Sequence, residues 1–187
     1  INFRLSRDEV AYIVENSGAR ILIVDDELAG NAGGPTPVVL IDEATQADAT
    51  RLAPDAMPAP LHHVQPGDLM RLMYTSGTTD RPKGVMLTYD NIYWKSADQT
   101  IALGLSRDTR LLVVGPLYHV GALDLPGIAV LWHGGMLCIH RNFDAEEAIA
   151  AIAAEKLTGA WFAPVMTSSI LALPQRDRYD VSSLQWA

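Results

Sequence analysis

The stretch "LMRLMYTSGTTDRPKGV", Leu69 to Val85, governs how this chain is read. Its first seven residues are an apolar run of strand length, and the residues that follow are small, hydroxylated and glycine-bearing, closing on a proline and a lysine. Such a loop makes a poor core and a good anion receptor. Thr75, Ser76, Thr78 and Thr79 bring hydroxyl donors, Gly77 and Gly84 let bare backbone approach a ligand, and Lys83 adds a mobile point charge. Each hydrogen bond to a charged acceptor is worth roughly 1.5–3 kcal/mol, so a few of them hold a phosphate, and a nucleoside triphosphate is the first candidate ligand. Ligands of an open parallel sheet bind at the carboxyl ends of its strands, which is the position expected for this loop.

The nearest generic phosphate motif, G-x-x-x-x-G-K-[ST], fails twice here. Pro82 stands at the second glycine and Gly84 at the magnesium-binding hydroxyl, which disfavours a P-loop NTPase. A Ser/Thr/Gly-rich surface turn with a solvated lysine stays open as the bland alternative.

Working outward, Val10, Ile13 and Val14 recur at helical spacing behind Ser6, an N-cap with Glu9 three places on, and predict a helix over Ser6 to Ser17 that Gly18 ends. "RILIVDD" and "PVVLIDE", the latter Pro37 to Glu43, read as short buried strands of parallel βαβ type. Past the loop come a helix around Asn91 to Leu103, strand "RLLVVGP", an apolar helix near Leu123 to Trp132, strand "MLCIHR" and an amphipathic helix "DAEEAIAAIAAEK" capped by Asp144. "GAWFAPV" is a further strand, followed by a helix beginning near Thr167. The fold class is α/β, with layered parallel sheets flanked by helices. Residues 1–43 form a first α/β part, 44–66 an Ala/Pro/Asp/Thr-rich connecting loop, and 67–187 a second α/β part carrying the phosphate loop.

Composition narrows the function. The 187 residues are 49% hydrophobic and carry a net charge of -8, without a Lys/Arg-rich stripe, which excludes nucleic acid as a partner. Cys138, the single cysteine, permits no internal disulfide and reads as buried. The most apolar run, Ile128 to Ile139, is too short and too broken to span a bilayer, and a cytoplasmic setting is expected. His62, His63, His133 and His140 fit no metal-site spacing and are assigned surface or structural roles. Trp161 and Phe162 alternate with small residues and read as core rather than as the wall of an acyl pocket.

"YTSGTTDRPKGVMLTYDNI" resembles the signature loop of the adenylate-forming (AMP-binding) superfamily, the acyl-CoA synthetases, luciferases and nonribosomal adenylation domains, with the form [YF]-[TS]-S-G-[TS]-T-G-x-P-K-G-V. Eleven of its twelve positions match. "PLYHVGAL", Pro116 to Leu123, looks like the family's Pro-x-[FY]-His element, and "YDVSSLQ", Tyr179 to Gln185, resembles the lead into a later glycine-rich motif. The likeness is to the acyl-CoA synthetase, fatty-acid-CoA ligase type, and covers the chain as part of one N-terminal AMP-binding domain, the C-terminal domain being absent from it.

The resemblance implies activation of a carboxylic acid, fatty or aromatic rather than an amino acid, by attack on the α-phosphate of ATP, then transfer of the acyl group to coenzyme A. It implies that Thr75, Ser76, Gly77, Thr78, Thr79, Lys83 and Gly84 hold the β/γ phosphates with Mg2+ as counter-ion. His119 would work at the α-phosphate and the acid's carboxylate as the catalytic group, with Tyr118 and Gly121 facing the substrate; the competing reading of His119 is a core histidine at a strand end. Elements that the family places later lie outside the chain, so these residues alone are expected to be inactive, and a non-catalytic relic or interaction module is the alternative. The one mismatch is Asp80, where the family has glycine. A carboxylate about 5 Å from a phosphate charge, at an effective dielectric near 20, costs roughly 3 kcal/mol, or about a hundredfold in affinity. Asp80 is therefore expected to weaken ATP binding unless it faces solvent or pairs with Arg81 or another cation.

Overall fold

The protein was analysed as a computed structural model that describes residues 1–42, 63–75 and 81–187. Two compact units, Ile1–Tyr89 and Asp90–Ala187, divide the chain.

In the first unit, helix α1 (Arg7–Ser17) starts at a full capping box: the Glu9 amide donates to Ser6 Oγ, and the Ser6 amide donates back to Glu9 Oε2 at 2.8 Å. The Ser6 amide first, then the Ser6 hydroxyl donating to Glu9 Oε2 at 2.8 Å, hold the Glu9 carboxyl below its ordinary range. Gly18, at φ 67°, ends the helix in the left-handed conformation that a side chain would strain. Val10, Ile13 and Val14 form the buried stripe of α1. Strands β1 (Leu22–Asp25) and β2 (Val38–Ile41) pair in parallel with Leu22 opposite Val38, as expected, but they are not the buried strands their apolar runs predict: Ile23, Val38, Val39 and Leu40 are all exposed. The expected connecting loop 44–66 lies outside the described residues up to position 62.

The segment around the signature loop departs from expectation. Strand β3 (Leu69–Thr75) forms as read, yet it pairs antiparallel with β4 (Lys83–Thr88), Thr75 opposite Lys83 and Tyr74 opposite Gly84. The strand that precedes the motif is therefore paired with an antiparallel partner rather than set in a parallel sheet. "KGVMLT" is rich enough in β-branched and apolar residues to pair, but the glycine and the short polar spacing masked a strand there.

The second unit is a parallel sheet in the order β6-β5-β7, with β5 (Arg110–Val113) central, β6 (Met136–Ile139) on one side and β7 (Gly159–Ala160) on the other. Because side chains alternate along a strand, Leu111 and Val113 enter one apolar cluster with Ala129 and Val130, while Leu112 and Val114 enter another with Ala148, Ile152 and Leu157. Both faces of the sheet are covered, which is why β5 reads as an unbroken apolar run. Helix α2 (Tyr89–Leu103) precedes β5.

The predicted apolar helix over 123–132 is broken into α3 (Val120–Ala122), a wide turn over Leu123–Gly127 and α4 (Ile128–Trp132). Leu125 and Pro126 leave helical geometry, as a proline without an N–H requires. Helix α5 (Ala145–Glu155) is capped by Asp144 Oδ1, which accepts from the Glu146 and Glu147 amides at 2.9 Å each. The "GAWFAPV" strand shortens to two residues, because helix α6 (Pro164–Leu171) begins at Pro164, a residue suited to a first helical position.

Candidate functional site

The neck of the β3–β4 hairpin carries the described part of the phosphate-loop motif. Thr75 and Lys83 face each other in register and both are exposed, so the two residues stand opposite each other where the strands end. Ser76, Gly77, Thr78, Thr79 and Asp80 lie outside the described residues. Gly84 has a further job: the ring of Tyr74 lies over it, and an added Cβ would meet that ring at 3.1 Å.

Two side chains of α1 reach this neck. The Tyr12 hydroxyl donates to the Pro82 carbonyl at 3.1 Å, and the Tyr74 hydroxyl donates to Asn16 Oδ1 at 2.7 Å. The guanidinium carbon of Arg81, the candidate partner of Asp80, stands 5.1 Å from the centre of the Tyr12 ring. Burial, and secondarily the neighbouring Tyr12, pushes the Tyr74 phenol above its ordinary value, so its hydroxyl remains a donor throughout the neutral range.

In the second unit His119 is exposed, so it is no core histidine. It caps the short helix α3 with its ring: Nδ1 accepts the Gly121 amide at 3.3 Å. The neutral imidazole then carries its proton on Nε2, the nitrogen left to address a ligand. Tyr118 is half-buried beside it. Gly121 is buried because the indole of Trp161 lies against it, so close that a Cβ would come within 2.5 Å of the ring. Trp161 is thus not a core residue as its strand pattern predicts; it is 36% exposed and flanks the His119 turn, while Phe162 does pack on the core.

The remaining candidates take structural parts. Thr100 Oγ1 donates to the Ser96 carbonyl at 2.7 Å, so at its 2.8 Å contact with His133 Nε2 the imidazole is the donor. Cys138 is half-buried on the edge of the second cluster, and desolvation raises its thiol, which leaves it a poor nucleophile. Among the described residues no group of three or more His, Cys, Asp or Glu could hold a metal. No helix among the described residues is long and apolar enough to cross a membrane.

Sequence reasoning missed Tyr12, Asn16 and Trp161. The first two sit four apart on α1 beside its apolar stripe, a spacing that sequence alone cannot distinguish from two solvated polar residues.

A parallel sheet covered on both faces in one unit, and a parallel strand pair with an antiparallel hairpin in the other, define a mixed α/β class of protein. The chain belongs to the AMP-binding enzyme family, which matches residues 1–187. It is 34% identical over 186 residues to a feruloyl-CoA synthase of Amycolatopsis sp, covering 99% of this chain and 37% of that protein. It is 32% identical over 176 residues to a 2-succinylbenzoate–CoA ligase of Bacillus licheniformis, covering 94% of this chain and 36% of that one. The inhibitor-bound N-terminal domain of FACL13 from Mycobacterium tuberculosis superposes with a TM-score of 0.83 at 26% identity, over 98% of this chain and 48% of that chain. The chain thus spans about a third of the length of these curated relatives.

Proposed function

We propose that the chain is part of the N-terminal AMP-binding domain of an acid:CoA ligase. A carboxylate oxygen attacks the α-phosphorus of ATP, the bond to the β-phosphate breaks and pyrophosphate leaves; the thiol sulfur of coenzyme A then attacks the acyl carbon, and AMP leaves as the thioester forms and the thiol proton passes to solvent. The observation that carries this reading is the register of Thr75 against Lys83, which closes the neck of the hydroxyl-rich loop with an exposed cation. Lys83, Thr75, Ser76, Gly77, Thr78, Thr79 and Gly84 take the β/γ phosphates, and magnesium, when bound, neutralises part of their charge. His119, with its proton on Nε2, donates to an α-phosphate oxygen on which charge builds as the carboxylate adds to phosphorus. Tyr118 and Gly121 face the acid.

Relatives named for feruloyl, succinylbenzoate and indoleacetate substrates support an acid bearing an aromatic ring alongside the fatty acid expected from the motif. Pyrophosphate release by the full-length protein, measured across aryl and fatty acids, decides between them. In that assay Lys83→Ala raises the KM for ATP and His119→Ala lowers kcat about a hundredfold, the cost of deleting one donor to a developing oxyanion. No pyrophosphate release by the unsubstituted full-length protein with any acid would leave the relic or interaction-module reading standing, and unchanged kinetics in both variants would remove Lys83 and His119 from the site. Asp80→Gly lowers the KM for ATP if the carboxylate repels phosphate; no change shows that it is harmless.

A further inference from the structure

We propose that Tyr12 and Asn16 of α1 are positioning residues that fix the neck of the β3–β4 hairpin, and with it Thr75 and Lys83, for nucleotide binding. The inference rests on the phosphate-binding reading given above.

The geometry assigns one tether to each strand. On the β3 side the Tyr74 hydroxyl donates to Asn16 Oδ1 at 2.7 Å, and Thr75 is the next residue. On the β4 side the Pro82 carbonyl accepts from the Tyr12 hydroxyl at 3.1 Å, and Lys83 is the next residue. Tyr12 and Asn16 are four apart, so their side chains rise from the same face of α1 one turn from each other. Two strands bonded to two points on one helix cannot twist or slide against each other without breaking a bond.

The helix is a firm anchor. It is capped at both ends, by Ser6 with Glu9 and by Gly18, and it is packed through Val10, Ile13 and Val14. The contacts around the tethers reinforce them: the Arg81 guanidinium covers the Tyr12 ring, and the Tyr74 ring covers Gly84, the residue directly across the hairpin. Both tyrosines use their rings on the neck and their hydroxyls at a helix-to-hairpin bond. A solvated polar face of α1 would show neither.

A lysine contributes to phosphate affinity only where its ammonium is held in place, since a long free side chain loses its rotamer entropy on binding. Breaking one tether should therefore raise the KM for ATP about threefold to tenfold, the equivalent of one ordinary hydrogen bond. The KM for the acid should not move.

The experiment is steady-state kinetics on the full-length protein with Tyr12→Phe, Tyr74→Phe, Asn16→Ala, Asn16→Asp and Lys83→Ala, each checked by melting temperature. Tyr12→Phe keeps the ring under Arg81 and Tyr74→Phe keeps the ring over Gly84, so each removes only a hydroxyl. The expected result is a raised KM for ATP in Tyr12→Phe, Tyr74→Phe and Asn16→Ala, with recovery in Asn16→Asp, whose carboxylate still accepts from Tyr74. The Tyr74→Phe/Asn16→Ala double variant should be no worse than either single, because both delete the same bond. If Lys83→Ala raises the KM for ATP while the tether variants leave it unchanged, the tether proposal is overturned and the phosphate reading survives. If the tether variants shift the KM values of ATP and acid equally, together with the melting temperature, the two residues are structural and the proposal again falls. Should Lys83→Ala itself have no effect on ATP, both readings fail together.

Discussion

Two apolar strand systems of this chain behave differently. Strand β5 is covered on both faces, with Leu111 and Leu112 at 1% exposure and Val113 at 2%, whereas the β3–β4 hairpin leaves Leu69 at 47%, Val85 at 44% and Met86 at 66%. Both are written in the same alphabet of Leu, Met and Val. What separates them is cover: the two faces of β5 enter two clusters of buried residues that draw on α4 and α5, while among the described residues no such cluster includes β3 or β4, and the parallel pair β1–β2 is exposed as well, with Ile23 at 63%. The hairpin's apolar side chains thus add little to the stability of the first unit, and its precision comes from polar ties to α1. The second unit derives its stability from packing, and its His119 turn is an addition at the edge.

The sharpest way to break that contrast is to truncate one residue in each system. Leu112→Ala removes a side chain from the centre of the second cluster and should destabilise the chain by about 2–5 kcal/mol. Met86→Ala, on the exposed hairpin, should stay within about 0.5 kcal/mol. Midpoints of urea unfolding measure both; equal shifts would mean that the hairpin is packed after all.

Gly121 tests whether the edge of the second unit is as tightly built as its centre. A Cβ there would sit 2.5 Å from the Trp161 ring, so Gly121→Ala should destabilise the chain by about 1–3 kcal/mol through overpacking. Trp161→Ala in the same chain should relieve most of that loss, giving strongly non-additive unfolding free energies. Additive losses would show that the ring yields and that the contact sets nothing.

How much could be read beforehand follows the same division. The helix over 7–17 with its capping box and the β5, β6 and α5 run were legible because period, caps and burial all agree there, whereas for β1 and β2 the parallel pairing was legible and the burial was not. The signature loop was legible as the mark of a family but not as architecture: nothing in "TTDRPKGV" distinguishes a turn into a helix from a turn into an antiparallel strand. Pro126 was visible, yet the period of its neighbours outweighed it and the break in the helix was missed. Trp161 was misassigned because alternation reports which face a residue shares and is silent about whether a glycine from another element has made room beside it. Tyr12 and Asn16 escaped for a related reason, since a long-range hydrogen bond leaves no periodic trace.

The first unit should show its dependence on polar ties at the start of α1 as well. Ser6→Ala removes the capping oxygen that accepts from the Glu9 amide and should cost about 1 kcal/mol. Glu9→Gln, which can still bond back to the Ser6 amide, should cost less. If both changes were silent in unfolding experiments, the anchor argued for the hairpin would be held by Val10, Ile13 and Val14 alone.

The smallest effect belongs to the polar ties of the second unit, where packing should make them dispensable. Asp180 accepts from Ser182 Oγ at 2.6 Å and the Ser182 amide at 3.1 Å, and Lys156 Nζ lies 2.9 Å from its other oxygen. The Ser182 hydroxyl first, then Lys156, hold this carboxyl far below its ordinary value of 3.8. A carboxyl lowered in the folded state contributes stability that is fully present above its unfolded value and is lost as pH falls through the folded one. Stability should therefore begin to decline below the ordinary carboxylate value, and Asp180→Asn, which has no proton to take up, should flatten that part of the acid-unfolding curve. Because the pair is fully exposed, the change near neutral pH should be small. An acid limb of unchanged slope in Asp180→Asn would show that other carboxylates carry the acid sensitivity and that this tie is as idle as the packing-dominated picture of the second unit allows.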